Sequence, residues 1–462
     1  MICSKKHTPN YAEMHQWELY GHDFLFEHRQ LLEEGHDVEK YKKLVDEIVA
    51  LPAGQLREEL AETLGAQMHN EHVSEDYPFI EPSDFEGIQA ARKASEITFN
   101  KPENKAVLFG KIKGSWLGRA AGCLLGKPLE CVYIKDIHHL LKESGNFPMY
   151  RYVNKSDFTD ELEKGLSWPL SHKTGWADTV ERMPVDDDTN YTVMAAEKLL
   201  KEHGRDFKPM DVAKTWISCQ PKDAYCTAER IAFVNFIKGY YPPDCATYKN
   251  PYREWIGAQI RADYFGYINP GDPETAAEMA WRDACISHVK NGIYGEMFVA
   301  AMIACAAVCD DIVNVIRGGI AQIPEKSRLY CQTAELLEMY ENGKTENECI
   351  DWIYNLYEED LPHHWTHTIS NALIVVVSLL FGEKDFGKTV CLAVQCGFDT
   401  DCNGATAGSI IGMLLGARGI SEDWTKPLNG EIETSIFGVG IAKIDVLAET
   451  TMQHLPEDLI LT

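Results

Sequence analysis

Gly397-Phe398-Asp399-Thr400-Asp401-Cys402-Asn403-Gly404-Ala405-Thr406-Ala407-Gly408-Ser409-Ile410-Ile411-Gly412-Met413-Leu414-Leu415-Gly416 is the stretch on which the fold turns. Gly404, Gly408, Gly412 and Gly416 recur every four residues, so on a helix they share one narrow face. Glycine costs about 1 kcal/mol against alanine inside a helix. Four in register therefore point to a packing reason, the close approach of a neighbouring helix backbone. Gly114, Gly118, Gly122 and Gly126 repeat the stripe. Further Ala- and Gly-rich apolar stretches, Tyr191–Leu200, Met297–Val308 and Ala372–Phe381, are too long for strands. The β-like run Ile374–Val377 sits inside one of them and reads as buried helix. The expected fold class is all-α, a globular array of antiparallel helices with no 20–50-residue repeat.

Outward from this core the texture changes. Residues 1–105 are polar and helix-prone, with apolar residues at helical spacing between His28 and Ala50 and breaks at Leu51-Pro52 and Asp76–Ser83. They read as a helical extension, and 106–462 as the main domain. The chain has 462 residues and a net charge of −27, which disfavours nucleic acid and anionic lipid as partners. Its longest apolar run, Leu373–Phe381, is too short to span a bilayer, so no membrane partner is expected. The start, Met1–His7, has no apolar segment of a secretory leader behind it. The 14 cysteines contain no CxxC pair, and Cys305 and Cys309 read as buried free thiols. A reducing cytoplasm fits that usage.

Carboxylates concentrate in two places, both opening helices: Asp186-Asp187-Asp188-Thr189, and Asp399-Thr400-Asp401. One aspartate suffices as an N-cap. Three in a row need protonation, solvent or a cation to relieve repulsion. An extended loop would aim Asp399 and Asp401 the same way. Two readings stay open on spacing alone: caps on a solvated acidic face, or ligands of a hard divalent ion, Mg²⁺ or Mn²⁺ rather than zinc. A third segment ends the first glycine stripe, where Lys127-Pro128 stops a helix and delivers Glu130 to a loop.

Together these segments resemble the ADP-ribosylglycohydrolase family. Its motif Gly-Asp-x-x-Gly-x-Pro-x-Glu is similar to Gly122–Glu130, its Thr/Ser-Asp-Asp-Thr to Asp186–Thr189, and its Gly-Gly-Asp-Thr-Asp-Thr to Gly397–Cys402. The resemblance runs from about Lys111 to Gly419 and includes Asp283–His288 as the family's central Ser/Thr-His segment. It implies an all-α glycosidase with a binuclear Mg²⁺ centre, acting at ribose C1 of small-molecule or protein-linked ADP-ribosyl compounds. It implies Asp186, Asp187, Asp188, Asp399 and Asp401 as metal ligands, with Asp401 bridging. Glu130, Asp187 and Asp401 follow as catalytic residues and His288 as a substrate-binding one. Asn403 and Arg261 are substrate-binding candidates read from the residues themselves, Asn403 as a group to orient an aspartate or a ribose hydroxyl. Four positions depart from the pattern. Asp186 replaces a hydroxyl ligand, Cys402 a threonine ligand, Cys123 an aspartate and Phe398 a glycine. These imply a divergent branch in which one of the two metals is bound differently, more weakly or not at all, or through Asp186 and Asn403 instead of Cys402.

The residues themselves leave other readings beside these. His288 next to a turn reads as a structural hydrogen bonder or a substrate contact. Arg261 reads as a phosphate ligand or as a structural partner of Asp263. His363, His364 and His367 lack an HExxH frame and read as a helix-start or pocket-rim cluster rather than a metal site. The alternatives to an ADP-ribosyl hydrolase are an N- or O-ribosidase of a free nucleoside-like metabolite, and a catalytically silent ribosyl-ligand binder.

Overall fold

The computed structural model describes residues 8–95, 97–167, 170, 173–459 and 462; Met1–His7, on which the absence of a leader was read, lie outside these. The two glycine stripes pack on each other. The helix Lys105–Gly126 and the helix Thr400–Leu415 form an antiparallel zipper. Each glycine faces a backbone carbonyl of the partner: a Cβ on Gly118 would stand 2.0 Å from Gly408 O, and one on Gly122 1.9 Å from Gly404 O. The same holds at Gly412 against Gly114 O, 2.3 Å, and at Gly126 against Thr400 O, 2.2 Å. No side chain other than hydrogen fits. Ser115 Oγ donates to Ser409 O at 2.7 Å and Thr400 Oγ1 to Gly126 O at 2.9 Å, so the pair is fixed in register as well as in distance. One consequence is functional. The C-terminal end of the first zipper helix, which continues through a 3₁₀ turn at Lys127–Leu129 to Glu130, is held against the start of the second, which carries Asp399 and Asp401.

Apolar helices surround the zipper, among them Lys290–Ala306, Phe386–Gln395 and Thr368–Phe381, the last containing Ile374–Val377 as buried helix. Among the described residues the chain is all-α apart from a two-stranded antiparallel ribbon, Glu431–Glu433 with Ile441–Lys443. Among the described residues no helix is long and apolar enough to cross a membrane. Cys305 is a buried free thiol and Cys309 a partly buried one.

Phe24–Glu33, Lys42–Val49 and Gln55–His69 are the first long helices of the extension. They close on their own apolar cluster, including Phe24, Leu31, Val45, Leu64 and Met68. Buried ion pairs join them to the rest of the chain. Arg253 bonds Glu27 at 2.8 Å and Glu34 at 3.0 Å, and Arg328 bonds Glu81 at 2.9 Å.

Candidate metal centre

Asp186 caps the helix Asp187–Met194, its Oδ1 accepting from Asp188 N–H at 2.9 Å. The capping reading of the first acidic segment thus holds for one carboxylate. Its neighbours do other work: Asp188 is fully buried, and Asp187 is partly exposed. In the second segment Asp399 occupies the cap position without a side-chain cap bond, and Asp401 lies in the first helical turn rather than in an extended loop. The preceding turn keeps a left-handed backbone at Phe398, φ +55°, where the resembled motif has glycine. Burial of the ring against Tyr354, with centroids 4.9 Å apart, offsets the strain of that conformation.

The two segments converge. Ligand atoms of Asp188, Asp401 and Cys402 all lie within 4.8 Å of one another, and so do those of Cys123, Asp186 and Asp188. The electrostatics agree. Burial, followed by Asp186 and Glu130, pushes the Asp187 carboxyl up to about 8. Burial and Glu130 push Asp399 up to about 7. Asp401 is driven well above the usual carboxylate range by burial, Glu130 and Asp399. Glu130 itself, half-buried, is raised by burial and Asp186. One field therefore links all three motifs.

Two cations of the protein already stand in it. Arg119, 1% exposed, donates from Nε to Asp188 O at 2.8 Å and from Nη2 to Asp188 Oδ1 at 2.9 Å, and pairs with Asp263 at 3.0 Å. Lys127 Nζ bonds Asp186 Oδ2. Asn371, on the helix Thr368–Phe381, accepts from Asp399 N–H at 3.0 Å and from Asn403 Nδ2 at 2.8 Å, fixing the second segment. What remains is a set of buried oxygens with no partner among the described residues: Asp188 Oδ2, Asp401 Oδ1 and Asn403 Oδ1. Orphaned buried acceptors are costly unless something binds them. An all-oxygen set of this kind fits a hard divalent ion such as Mg²⁺ or Mn²⁺. Cys402 Sγ lies in the same group, a soft sulfur that suits such an ion less well than the oxygens, and in the metal-free protein burial and the surrounding aspartates hold its thiol well up.

Other expected site residues lie elsewhere. All five N–H groups of Arg261 are engaged. Nε bonds Asp283 Oδ1 at 2.5 Å, Nη1 bonds Glu229 at 2.7 Å and Gly257 O at 3.3 Å, and Nη2 bonds Asp283 O and Ser287 Oγ at 3.3 and 3.2 Å. No donor is left for a phosphate, so the substrate-binding expectation is corrected. The expected structural partner Asp263 is corrected too, since residues two apart on a helix do not face each other. His288 belongs to the same cluster, its Nδ1 2.8 Å from Ser287 Oγ, and burial and Arg261 hold its pKa well below the usual imidazole value. It lines a cavity of about 570 Å³ with Trp281, Cys285 and Pro243, apart from the five aspartates.

The three histidines at 363–367 surround Glu33 of the extension. Glu33 Oε1 is 3.0 Å from His364 Nε2, and Oε2 is 3.4 Å from His363 Nε2 and 3.9 Å from His367 Nε2. Each Nδ1 accepts from a group that can only donate: Trp255 Nε1–H, Glu358 N–H and Ile369 N–H. With Nδ1 accepting, the ring protons of neutral His363 and His367 are on Nε2, facing Glu33 and, at 3.4 Å, Glu254, whereas His364 Nε2 also lies 3.0 Å from Arg29 Nη2. His367 is at once the cap of the helix Thr368–Phe381, as a helix-start residue should be.

Sequence reasoning missed Arg119, Lys127 and Asn371. Arg119 carried a signal, being a lone charge in the apolar stripe Gly114–Gly126, where it must find a buried partner. Lys127 was read only as a helix stop, and nothing local marked Asn371.

Buried oxygens at paired helix starts, set on an all-α scaffold by a glycine zipper, define a candidate hard-metal site. The family model for ADP-ribosylglycohydrolase matches residues 104–457, and the chain belongs to that family. Among solved structures it is similar to one titled an ADP-ribosylglycohydrolase-related protein complex, at 18% identity and a TM-score of 0.41, covering 76% of this chain and 99% of that one. No curated protein matches the chain.

Proposed function

We propose that the chain is a divalent-metal-dependent glycosidase cleaving the bond at ribose C1 of an ADP-ribosyl or related ribosyl compound, small or protein-linked. The observation that carries this is the pair of orphaned buried oxygens, Asp188 Oδ2 and Asp401 Oδ1, beside the more exposed Asp187 and Glu130. Asp188 and Asp401 would hold Mg²⁺ or Mn²⁺, with Asp187 and Asp399 completing the carboxylate set. A bound ion of this kind polarises oxygen ligands and makes water more acidic. Glu130, held above the usual carboxylate range, can keep a proton for the leaving group or accept one from water, a contribution of roughly 10²–10⁴-fold in such catalysis. Asn403 Oδ1 has no donor among the described residues and can orient a ribose hydroxyl. The acidic surface does not favour nucleic acid, and the free thiols fit a reducing compartment.

A catalytically silent ribosyl-ligand binder is the second reading, favoured by the Cys402 thiol and the Lys127–Asp186 pair, which reduce the oxygens open to metal. Chromatographic assay of ADP-ribosyl-arginine, ADP-ribosyl-serine, ADP-ribose and free nucleosides separates the cases. Release of free ribose or ADP-ribose with Mg²⁺ or Mn²⁺, abolished by EDTA and by Asp401→Asn, supports the glycosidase, and the substrate cleaved fixes its class. Release that survives both treatments refutes it. Binding without release supports the silent binder.

A further inference from the structure

We propose that the Lys127 ammonium is a resident cation of the acidic centre, filling one of two adjacent cation positions so that a single divalent ion binds at the other. The inference rests on the metal reading above and goes beyond it. The two positions are the two groups that share Asp188: Cys123, Asp186 and Asp188 on one side, and Asp188, Asp401 and Cys402 on the other. They differ in what is already satisfied. On the first side both oxygens of Asp186 are spent, Oδ1 on Asp188 N–H at 2.9 Å and Oδ2 on Lys127 Nζ. Its third member, Cys123, is a fully buried thiol. On the second side Asp188 Oδ2 and Asp401 Oδ1 are buried and without partner.

Lys127 is built into this place. It follows the last zipper glycine directly and precedes Pro128, so its backbone is fixed by the helix pair and the proline ring. Its side chain is 18% exposed. Gly175, at φ +84°, lies against its stem, where a Cβ would come within 3.1 Å of Lys127 Cδ. An ammonium is a compact charge that neutralises a carboxylate, but it offers no open coordination site. Asp188 Oδ2 and Asp401 Oδ1 would then be the oxygens that hold the single divalent ion, which would supply the Lewis acidity of the site.

Titration calorimetry and electron paramagnetic resonance with Mn²⁺ test this on the full chain. Wild type is expected to take up one Mn²⁺ with the six-line spectrum of an isolated ion. Lys127→Met is expected to take up two, with the broadened spectrum of a spin-coupled pair, whereas Lys127→Arg stays at one. If Lys127→Met does not fold, Lys127→Met/Asp186→Ser removes the unpaired carboxylate and supplies a hydroxyl, and is expected to bind two. Two ions in wild type, or one ion in the folded Met variants, would overturn the proposal. No Mn²⁺ binding by wild type would overturn the metal reading itself, an outcome distinct from either stoichiometry.

Discussion

Gly122→Ala is the sharpest perturbation of the architecture that builds the centre. Its added Cβ would stand 1.9 Å from Gly404 O, whereas real Cβ atoms essentially never come within 3.0 Å. The helices must therefore part by at least 1.1 Å, the difference between those two distances. The obstruction is backbone, so no rotamer change relieves it. Overpacking commonly costs 1–3 kcal/mol and occasionally more. With backbone against backbone along a 16-residue helix, about 3 kcal/mol or more is expected. Better helix propensity returns only about 1 kcal/mol. The net is a loss of about 2 kcal/mol or more. Gly110→Ala in the same helix is the matched control: nothing lies within 4 Å of its Cβ, so it keeps the propensity gain of about 1 kcal/mol. Urea unfolding followed by circular dichroism measures the difference, with thermal scans at one fixed rate if refolding is incomplete. Gly122→Ala as stable as Gly110→Ala would refute the zipper as the element that sets helix distance. Gly126→Ala, whose Cβ would meet Thr400 O at 2.2 Å, should in addition weaken Mn²⁺ binding, because it displaces the turn that carries Asp401.

Asp401→Asn removes the charge of an orphaned buried oxygen while keeping its shape. Mn²⁺ affinity should fall at least tenfold and the metal-free protein should melt higher, and unchanged affinity in calorimetry would remove Asp401 from the ligand set. The pH dependence follows from the same carboxyls. Asp187 and Asp399 are raised in the fold to about 8 and about 7, so the stability they contribute is present at low pH and lost as pH rises through those values. The melting temperature in EDTA should therefore fall from about pH 4, the unfolded carboxyl range, and level off above about pH 8, and saturating Mg²⁺ should flatten the profile, since a bound cation favours the ionised forms. A profile that Mg²⁺ leaves unchanged would count against binding at these residues. Glu33→Ala removes the carboxylate that His363 and His364 face, while His367 keeps Glu254 and Arg328 keeps Glu81 and Glu254. With Glu33 19% exposed, a loss of about 2 kcal/mol in docking of the extension is expected, seen as faster proteolysis between residues 70 and 105.

The helical class and both acidic segments were legible because they are local patterns, a four-residue glycine period and carboxylates at helix starts. What stayed illegible was pairing across the chain. Each stripe announced a close-packed neighbour, but nothing within either said that the other, almost 300 residues away, was that neighbour. The same limit applied to charge. Arg261 was paired with its sequence neighbour Asp263, whereas the fold gives it Asp283 and Glu229 and gives Asp263 to Arg119. Lys127 ended a helix as its Pro128 neighbour suggested, and only tertiary structure showed its amine on Asp186, 59 positions on. Glu33 and the histidines that hold it belong to segments about 330 residues apart.

The central claim is that the two acidic segments make one hard-cation site at Asp188 and Asp401. Anomalous diffraction at the manganese edge, from crystals soaked in MnCl₂, tests it most directly. The account predicts a peak within about 2.2 Å of an oxygen of each, a usual length for a small hard divalent ion. A crystal whose manganese peaks all lie away from these oxygens, or that shows none at saturating Mn²⁺, would contradict it.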